Sequence, residues 1–164
     1  MIRAGSLALL LLASPSAFAQ EEEADQPPAC SVWTAQMQED EGGSVFTASA
    51  CAEDRPDAYL LLTCSAGRVF IRYDMAAGAE RSPGLAEKAG VDFTIGLSTQ
   101  RVAMQHQEMD GMFAADVVAN GPLIALMASG ENLRISDGDG IYPEHRFGLS
   151  GSSTALTELL ARCS

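Results

Sequence analysis

Sulfur and imidazole side chains are concentrated in one predicted hairpin, which contains Met104, His106, Met109 and Met112. Thioether and imidazole groups are ligands that suit Cu(I), so this cluster is a candidate copper site. Met104 and Met112 also fall where an alternating strand places its core side chains, and methionine commonly fills gaps in apolar cores. Met109 falls in the turn. Packing therefore accounts for the cluster better than copper does, and we expect neither a metal nor a cofactor.

Other residues that could carry catalysis are sparse. The chain has two histidines, His106 and His145, and each is in register with apolar neighbours on a predicted strand. A half-buried, hydrogen-bonded histidine at a strand end accounts for both. The sequence contains no nucleophile elbow, no zinc-protease helix motif, no P-loop and no dinucleotide-binding glycine motif. We therefore predict that the protein is not an enzyme.

Carboxylate pairs occur at Asp137 with Asp139 and at Glu108 with Asp110. The segment 137–140 resembles the start of a calcium-binding loop, but it lacks the later ligands and the terminal glutamate. Pairs of this kind are expected by chance in an acidic chain. We predict an ordinary loop at 137–140.

Four cysteines, Cys30, Cys51, Cys64 and Cys163, suggest two disulfides. An even number of cysteines in an exported chain is typical of disulfide bonding, and four cysteines allow three pairings. We favour a Cys30–Cys51 disulfide, which would fix the N-terminal segment to the domain. We also favour a Cys64–Cys163 disulfide, which would link the last helix to a strand. The alternative is a zinc site, which the absence of a C-x-x-C pair disfavours.

Composition limits the classes of partner. The 164 residues include 22 acidic and 10 basic side chains, giving a net charge of −12. Nucleic acids and anionic membrane surfaces would repel such a chain. A hydrophobic content of 47% is sufficient for a packed core, and the length fits one domain.

The N-terminus has the three parts of a secretory signal peptide. Arg3 supplies the positive charge, residues 7–13 form a short apolar run, and residues 17–19 form an A-x-A cleavage box. The run is too short for a permanent membrane span, and no later stretch is long enough. We therefore predict cleavage after residue 19, a periplasmic or secreted location, and no membrane insertion of the mature protein.

After the predicted signal peptide (1–19), residues 20–43 are expected to form an acidic N-terminal arm and loop, and residues 44–164 a single domain. Within the arm, Trp33 is a predicted core anchor in a short strand at 32–35. From residue 44 onward, alternating apolar and polar residues predict eight short strands. These strands are 45–51, 59–64, 68–73, 91–97, 100–107, 112–118, 133–136 and 145–149.

Two helices complete the prediction. Pro122 and Gly130 bound a short helix at 122–129, and a C-terminal helix begins after Ser152 or Ser153. The fold class is mainly β: an antiparallel sandwich or barrel-like domain with a C-terminal α-helix.

Turn chemistry gives two further expectations. Val91, Phe93, Ile95 and Leu97 alternate strictly, so we expect all four to face the core before a turn at 98–99. The Asp-Gly pair at 110–111 predicts a two-residue hairpin.

The segments 59–75 and 145–163 resemble small exported bacterial proteins. The resemblance is carried by a cysteine-bearing strand, LLLTC at 60–64, by RVFIRY at 68–73, and by an ending of FGLSGS at 147–152, a leucine-rich helix and Cys163. It points to the type VI secretion-associated accessory proteins of the VasI/TagO kind and to the invasion-associated locus B family. It implies a β-sandwich-like fold, a Cys64–Cys163 bridge and a non-catalytic accessory role in the envelope.

Three functions follow from these features. The first is a non-enzymatic periplasmic accessory protein that binds another envelope or secretion-related protein. The second is an acidic inhibitor or scavenger of a basic protein such as lysozyme, because complementary charge accelerates association. The third is a Cu(I)-binding periplasmic protein.

Overall fold

The computed structural model describes residues 29–40, 43–65 and 68–163. The predicted signal peptide and the first part of the acidic arm lie outside these residues. The described chain forms a short 3-10 helix at Ala29–Ser31, nine strands and two α-helices. In chain order these are β1 (Thr34–Asp40), β2 (Gly43–Cys51), β3 (Tyr59–Ser65), β4 (Arg68–Tyr73), β5 (Lys88–Ile95), β6 (Ser98–Gln107), β7 (Met112–Val117), α1 (Pro122–Ser129), β8 (Asn132–Asp137), β9 (His145–Gly148) and α2 (Ser152–Ala161).

All nine strands belong to one antiparallel sheet in the order β1-β2-β3-β4-β7-β6-β5-β8-β9. The predicted mainly β class with a C-terminal helix is confirmed. The strand at the start of the described chain is longer than the predicted 32–35. It runs to Asp40 and includes Glu39, which the sequence had placed in a loop, because every residue of β1 pairs with β2 from Thr34↔Ser49 to Asp40↔Gly43.

The sheet curls until its two ends meet, which makes it barrel-like. The backbone N–H of Trp33, just before β1, donates to the carbonyl of Ser150, just after β9, at 2.9 Å. The Trp33 indole N–H donates to the carbonyl of Gly148 at 3.0 Å. After β2, the N–H of Glu53 donates to the carbonyl of Arg146 in β9 at 2.7 Å. These bonds close the sheet without a full strand ladder.

The concave face of the curled sheet holds the core. Burial alternates along β4 and β5, as expected for strands with one face inward. The aromatic rings buried there include Trp33, Tyr73, Phe93, Phe113 and Phe147. Burying rings of this size dominates the apolar contribution to stability in a domain of this length.

The two helices cover an open part of this core. Helix α2 buries Ala155, Leu156 and Leu159, and α1 buries Leu123, Ile124 and Met127. The cap of α2 is Gly151, with φ at +82°, and not the serine predicted. The Ser152 hydroxyl oxygen instead lies 2.7 Å from the carbonyl oxygens of both Leu149 and Met127, and its one proton is shared between these acceptors. The contact with Met127 links the two helices.

Two turn predictions were wrong in detail. Ile95 pairs with Ser98, so Gly96 and Leu97 form the two-residue turn, and Leu97 is fully exposed where it was expected to face the core. Gly96 has φ at +58°, a backbone conformation that favours glycine, and the turn lies two residues earlier than predicted. The hairpin between β6 and β7 has a four-residue loop at 108–111, since Gln107 pairs with Met112.

Both favoured disulfides are present. Cys30 bonds Cys51 with a Cα–Cα distance of 5.3 Å, and Cys64 bonds Cys163 with a Cα–Cα distance of 5.2 Å. The first lies at the junction of the sheet ends, and the second holds the end of α2 against β3. The described residues include no free cysteine.

The two disulfides should differ in their effect on stability. They span sequence separations of 21 and 99 residues. Loop-closure entropy predicts a loss in the free energy of unfolding of about 3 kcal/mol for the double variant Cys30→Ser/Cys51→Ser and about 4.7 kcal/mol for Cys64→Ser/Cys163→Ser. Urea denaturation of both double variants measures the difference. A larger loss for the Cys30/Cys51 variant would contradict the prediction.

Candidate functional site

His145 is a structural residue within a buried hydrogen-bonded chain. Its side chain is 2% exposed, and its Nε2 lies 3.1 Å from the carbonyl oxygen of Ala77. Because a carbonyl can only accept, Nε2 carries the proton and Nδ1 accepts the hydroxyl of Tyr73 at 2.7 Å. Burial lowers the pKa of His145 and raises that of Tyr73. Both groups are therefore neutral at physiological pH, and both imidazole nitrogens are occupied.

His106 lies opposite Phe113 on neighbouring strands, with ring centroids 5.3 Å apart. Its side chain is half-buried, and its Nδ1 has no hydrogen-bond partner among the described residues. Its backbone N–H donates to the carbonyl of Glu87 at 2.8 Å. The His106 ring is thus the first of three rings in contact, because the Phe113 ring also contacts that of Tyr142, with centroids 5.5 Å apart.

The candidate copper ligands do not converge. Met104 is 1% exposed in the core, whereas Met109 is 87% exposed in the hairpin loop. Met112 pairs with Gln107, and its neighbour Phe113 pairs with His106. Because adjacent strand residues face opposite sides, Met112 lies on the other face of the sheet from His106. Within the described ranges there is also no group of three histidine, cysteine or carboxylate side chains arranged to hold a metal.

The Asp137 carboxylate accepts hydrogen bonds from backbone amides of its own loop. One oxygen accepts the N–H of Asp139 at 3.1 Å, and the other accepts those of Ile141 at 2.8 Å and Tyr142 at 3.3 Å. This capping explains why an aspartate is buried here. In the second predicted carboxylate pair, Asp110 contacts Arg72 at 3.2 Å.

Glu87 fastens the long segment between β4 and β5 to the loop before β9. Its carboxylate accepts bonds from the Gly84 N–H at 2.8 Å, the Tyr142 hydroxyl at 2.7 Å and both terminal nitrogens of Arg81. The Gly84 N–H, then Tyr142 and Arg81, lower the pKa of Glu87 to about 2. The sequence analysis did not identify this cluster, because Tyr142 joins it from a segment 55 residues away from Glu87.

One candidate binding surface, which we call the sheet split, lies between β6 and β7. These strands pair only where residues 105–107 meet residues 112–114. Outside these residues, β6 is paired only with β5, and β7 is paired only with β4. Strands β6 and β7 therefore diverge, and a cavity of about 380 Å³ lies between them. The cavity is lined by Gln100, Arg101, Val102, Ala103, Asp116, Val117, Val118, Gly121, Pro122 and Leu123. Val118 is 73% exposed beside it.

A second surface, the arginine groove, lies on the outer face of β5, β8 and β9. It is a cavity of about 560 Å³ lined by Glu53, Thr94, Gly96, Asn132, Leu133, Arg134, Arg146 and Phe147. Arg134 and Arg146 lie directly opposite each other on β8 and β9. The sequence analysis singled out neither this groove nor the sheet split, because both depend on strand register and order.

Comparison with known proteins identifies a related fold. A solved structure titled invasion associated protein B from Bartonella henselae is similar, with a TM-score of 0.56 and 15% sequence identity. The match covers 84% of this chain and 97% of that one. No protein-family model and no curated protein matches the chain. The likeness supports the locus B resemblance at the level of fold, and nothing supports the VasI/TagO resemblance.

The neutral state of His145 makes stability depend on pH. The unfolded histidine titrates near its ordinary pKa of 6.5, whereas the folded one has a lower pKa. Below about pH 6.5 the unfolded state therefore binds more protons, and the free energy of unfolding falls as the pH decreases. Denaturation of the wild type and of His145→Gln between pH 7.5 and 5 measures this contribution. Equal pH slopes for the two proteins would contradict it.

Proposed function

We propose that the protein is a non-enzymatic accessory protein of the bacterial cell envelope that binds a segment of another envelope protein at the sheet split. The observation that carries the proposal is the divergence of β6 from β7. In an antiparallel sheet, the backbone groups of a strand point alternately to its two neighbours. Among the described residues, 98–104 of β6 and 115–117 of β7 have a paired strand on only one side.

Unpaired strand edges are suited to an extended peptide. Such a peptide adds main-chain hydrogen bonds to the edge, and alternate side chains fit neighbouring apolar positions. Val102, Val117, Val118 and Leu123 supply apolar surface around the split. The two charged side chains there are already paired, Asp116 with Arg68 and Arg101 with Asp92. We therefore expect apolar and main-chain contacts, and not net charge, to hold the partner.

Several features support a location outside the cytoplasm. Two disulfides are typical of oxidising compartments, and the N-terminus carries the predicted signal peptide. In the described part of the chain, no helix combines the length and hydropathy needed to cross a bilayer. The related fold is compatible with an extracytoplasmic protein.

The buried histidine supports a binding role over catalysis. Both nitrogens of His145 are engaged by Tyr73 and Ala77, which leaves neither to exchange a proton with a substrate. A general base must reach the proton that it removes, and this one is enclosed in the core.

Variants at the split test the proposal. The exported, disulfide-bonded wild-type protein is used to capture partners from envelope extract at low and high salt. The same capture is repeated with Val118→Glu and with the matched control Leu97→Glu. Both residues are exposed apolar side chains, but Leu97 lies in a hairpin turn outside the split. We expect capture to survive high salt and to fall about tenfold for Val118→Glu alone, equivalent to about 1.4 kcal/mol.

Hydrogen exchange of the purified complex identifies where the partner binds. We expect added protection of the amides at 98–104 and 115–117. Equal capture by the two variants, or protection elsewhere only, would overturn the proposal. A partner released at high salt would favour the alternative, in which the acidic surface binds a basic protein such as lysozyme.

A further inference from the structure

The arginine groove is built on a row of side chains that crosses four strands. Thr99, Thr94, Arg134 and Arg146 are in register on β6, β5, β8 and β9. The hydroxyls of Thr94 and Thr99 lie 3.0 Å apart, so the two threonines share the outer face. The row therefore presents two hydroxyls and two guanidinium groups side by side.

The juxtaposition of Arg134 and Arg146 is unfavourable for the protein alone. Like charges directly opposite on antiparallel strands destabilise a sheet. Arg134 has one carboxylate neighbour, Glu144 at 3.6 Å, and its side chain is 55% exposed. Among the described residues, no carboxylate lies within salt-bridge distance of the Arg146 side chain. In a chain with 22 acidic and 10 basic residues, two adjacent and weakly neutralised arginines need an explanation.

Glu53 places a single carboxylate at the edge of the same groove. Its backbone N–H donates to the carbonyl of Arg146 at 2.7 Å, which fixes its position beside β9. Its side chain lies over Gly148, where a Cβ atom would come within 2.7 Å of the Glu53 Oε1. The Glu53 carboxylate therefore lies against the backbone of β9, and Asn132 lies opposite Gly148 on β8.

These groups together define the chemistry of a ligand. Guanidinium groups bind carboxylates through paired hydrogen bonds, which would offset the repulsion between the two arginines. Glu53 and Asn132 can accept hydrogen bonds from hydroxyls. Glu53 and Glu144 place two negative charges beside the two guanidinium groups, so the second charge of a phosphate would gain little net attraction over a carboxylate.

We propose that the arginine groove binds an acidic sugar. Arg134 and Arg146 hold its carboxylate, and Glu53 and Asn132 accept its hydroxyls. The four residues that would contact this ligand do not line the sheet split, so the inference does not depend on the proposed function.

Titration of the disulfide-bonded, isotopically labelled protein with D-glucuronate, followed by NMR, tests the proposal. D-glucose and inorganic phosphate serve as the other probes. We expect saturable shifts of the Thr94, Asn132 and Arg146 amides with glucuronate and none with glucose. Arg146→Gln should weaken binding at least tenfold. The matched control is Arg162→Gln, whose guanidinium stacks on Phe46 at 4.1 Å elsewhere on the surface, and it should leave binding unchanged.

Three results would overturn the proposal. One is the absence of saturable shifts up to about 50 mM glucuronate, well above the millimolar range of weak but specific ligands. Another is equal binding by the wild type and Arg146→Gln. The last is tighter binding of phosphate than of glucuronate, which would leave an oxyanion site but reject the sugar. Amide spectra of the variants without ligand establish that each is folded.

Discussion

The junction around Trp33 joins the two ends of the nine-stranded sheet, and the enclosed core depends on it. An open sheet of this width would leave much of one apolar face in water, whereas a curled sheet encloses it. Trp33 contributes its ring to the core and two N–H donors to the chain around Gly148 and Ser150. The nearby Cys30–Cys51 disulfide covalently joins the segment before β1 to the end of β2 at this junction. The interior rings are buried because these ends are held together.

Closure also imposes requirements on polar groups that lie inside. A buried polar atom without a partner costs free energy, so enclosed groups have to be satisfied within the protein. Tyr73 and His145 satisfy each other across the core, and Asp137 satisfies three amides of its own loop. These residues would attract attention as catalytic or metal-binding candidates, yet their geometry shows that they stabilise the fold. The surfaces left for binding are those where strand pairing ends or where charges remain poorly neutralised.

Strand order decides where those surfaces lie. Because β7 pairs mainly with β4 and β6 mainly with β5, the hairpin that links them opens into the sheet split. The pairing of β8 with β5 and β9 places Arg134 between Thr94 and Arg146 and so forms the arginine groove. Both arrangements join residues that are distant in the chain. The similar solved structure shares the fold but has 15% sequence identity, so it gives no information on either surface.

The sequence by itself determined the class of fold, most strand positions and both helices, because these follow from local alternation and helix boundaries. The cysteine count indicated two disulfides but allowed three pairings, and the structure decided between them. It misplaced Leu97 because alternation alone cannot show which residue of a hairpin makes the turn. It could not exclude the methionine cluster as a site, since facing depends on which residue of β7 lies opposite His106. Only the tertiary structure decided the strand order, the closure of the sheet and the two surfaces. Each of these depends on contacts between distant segments, and local sequence patterns do not specify such contacts.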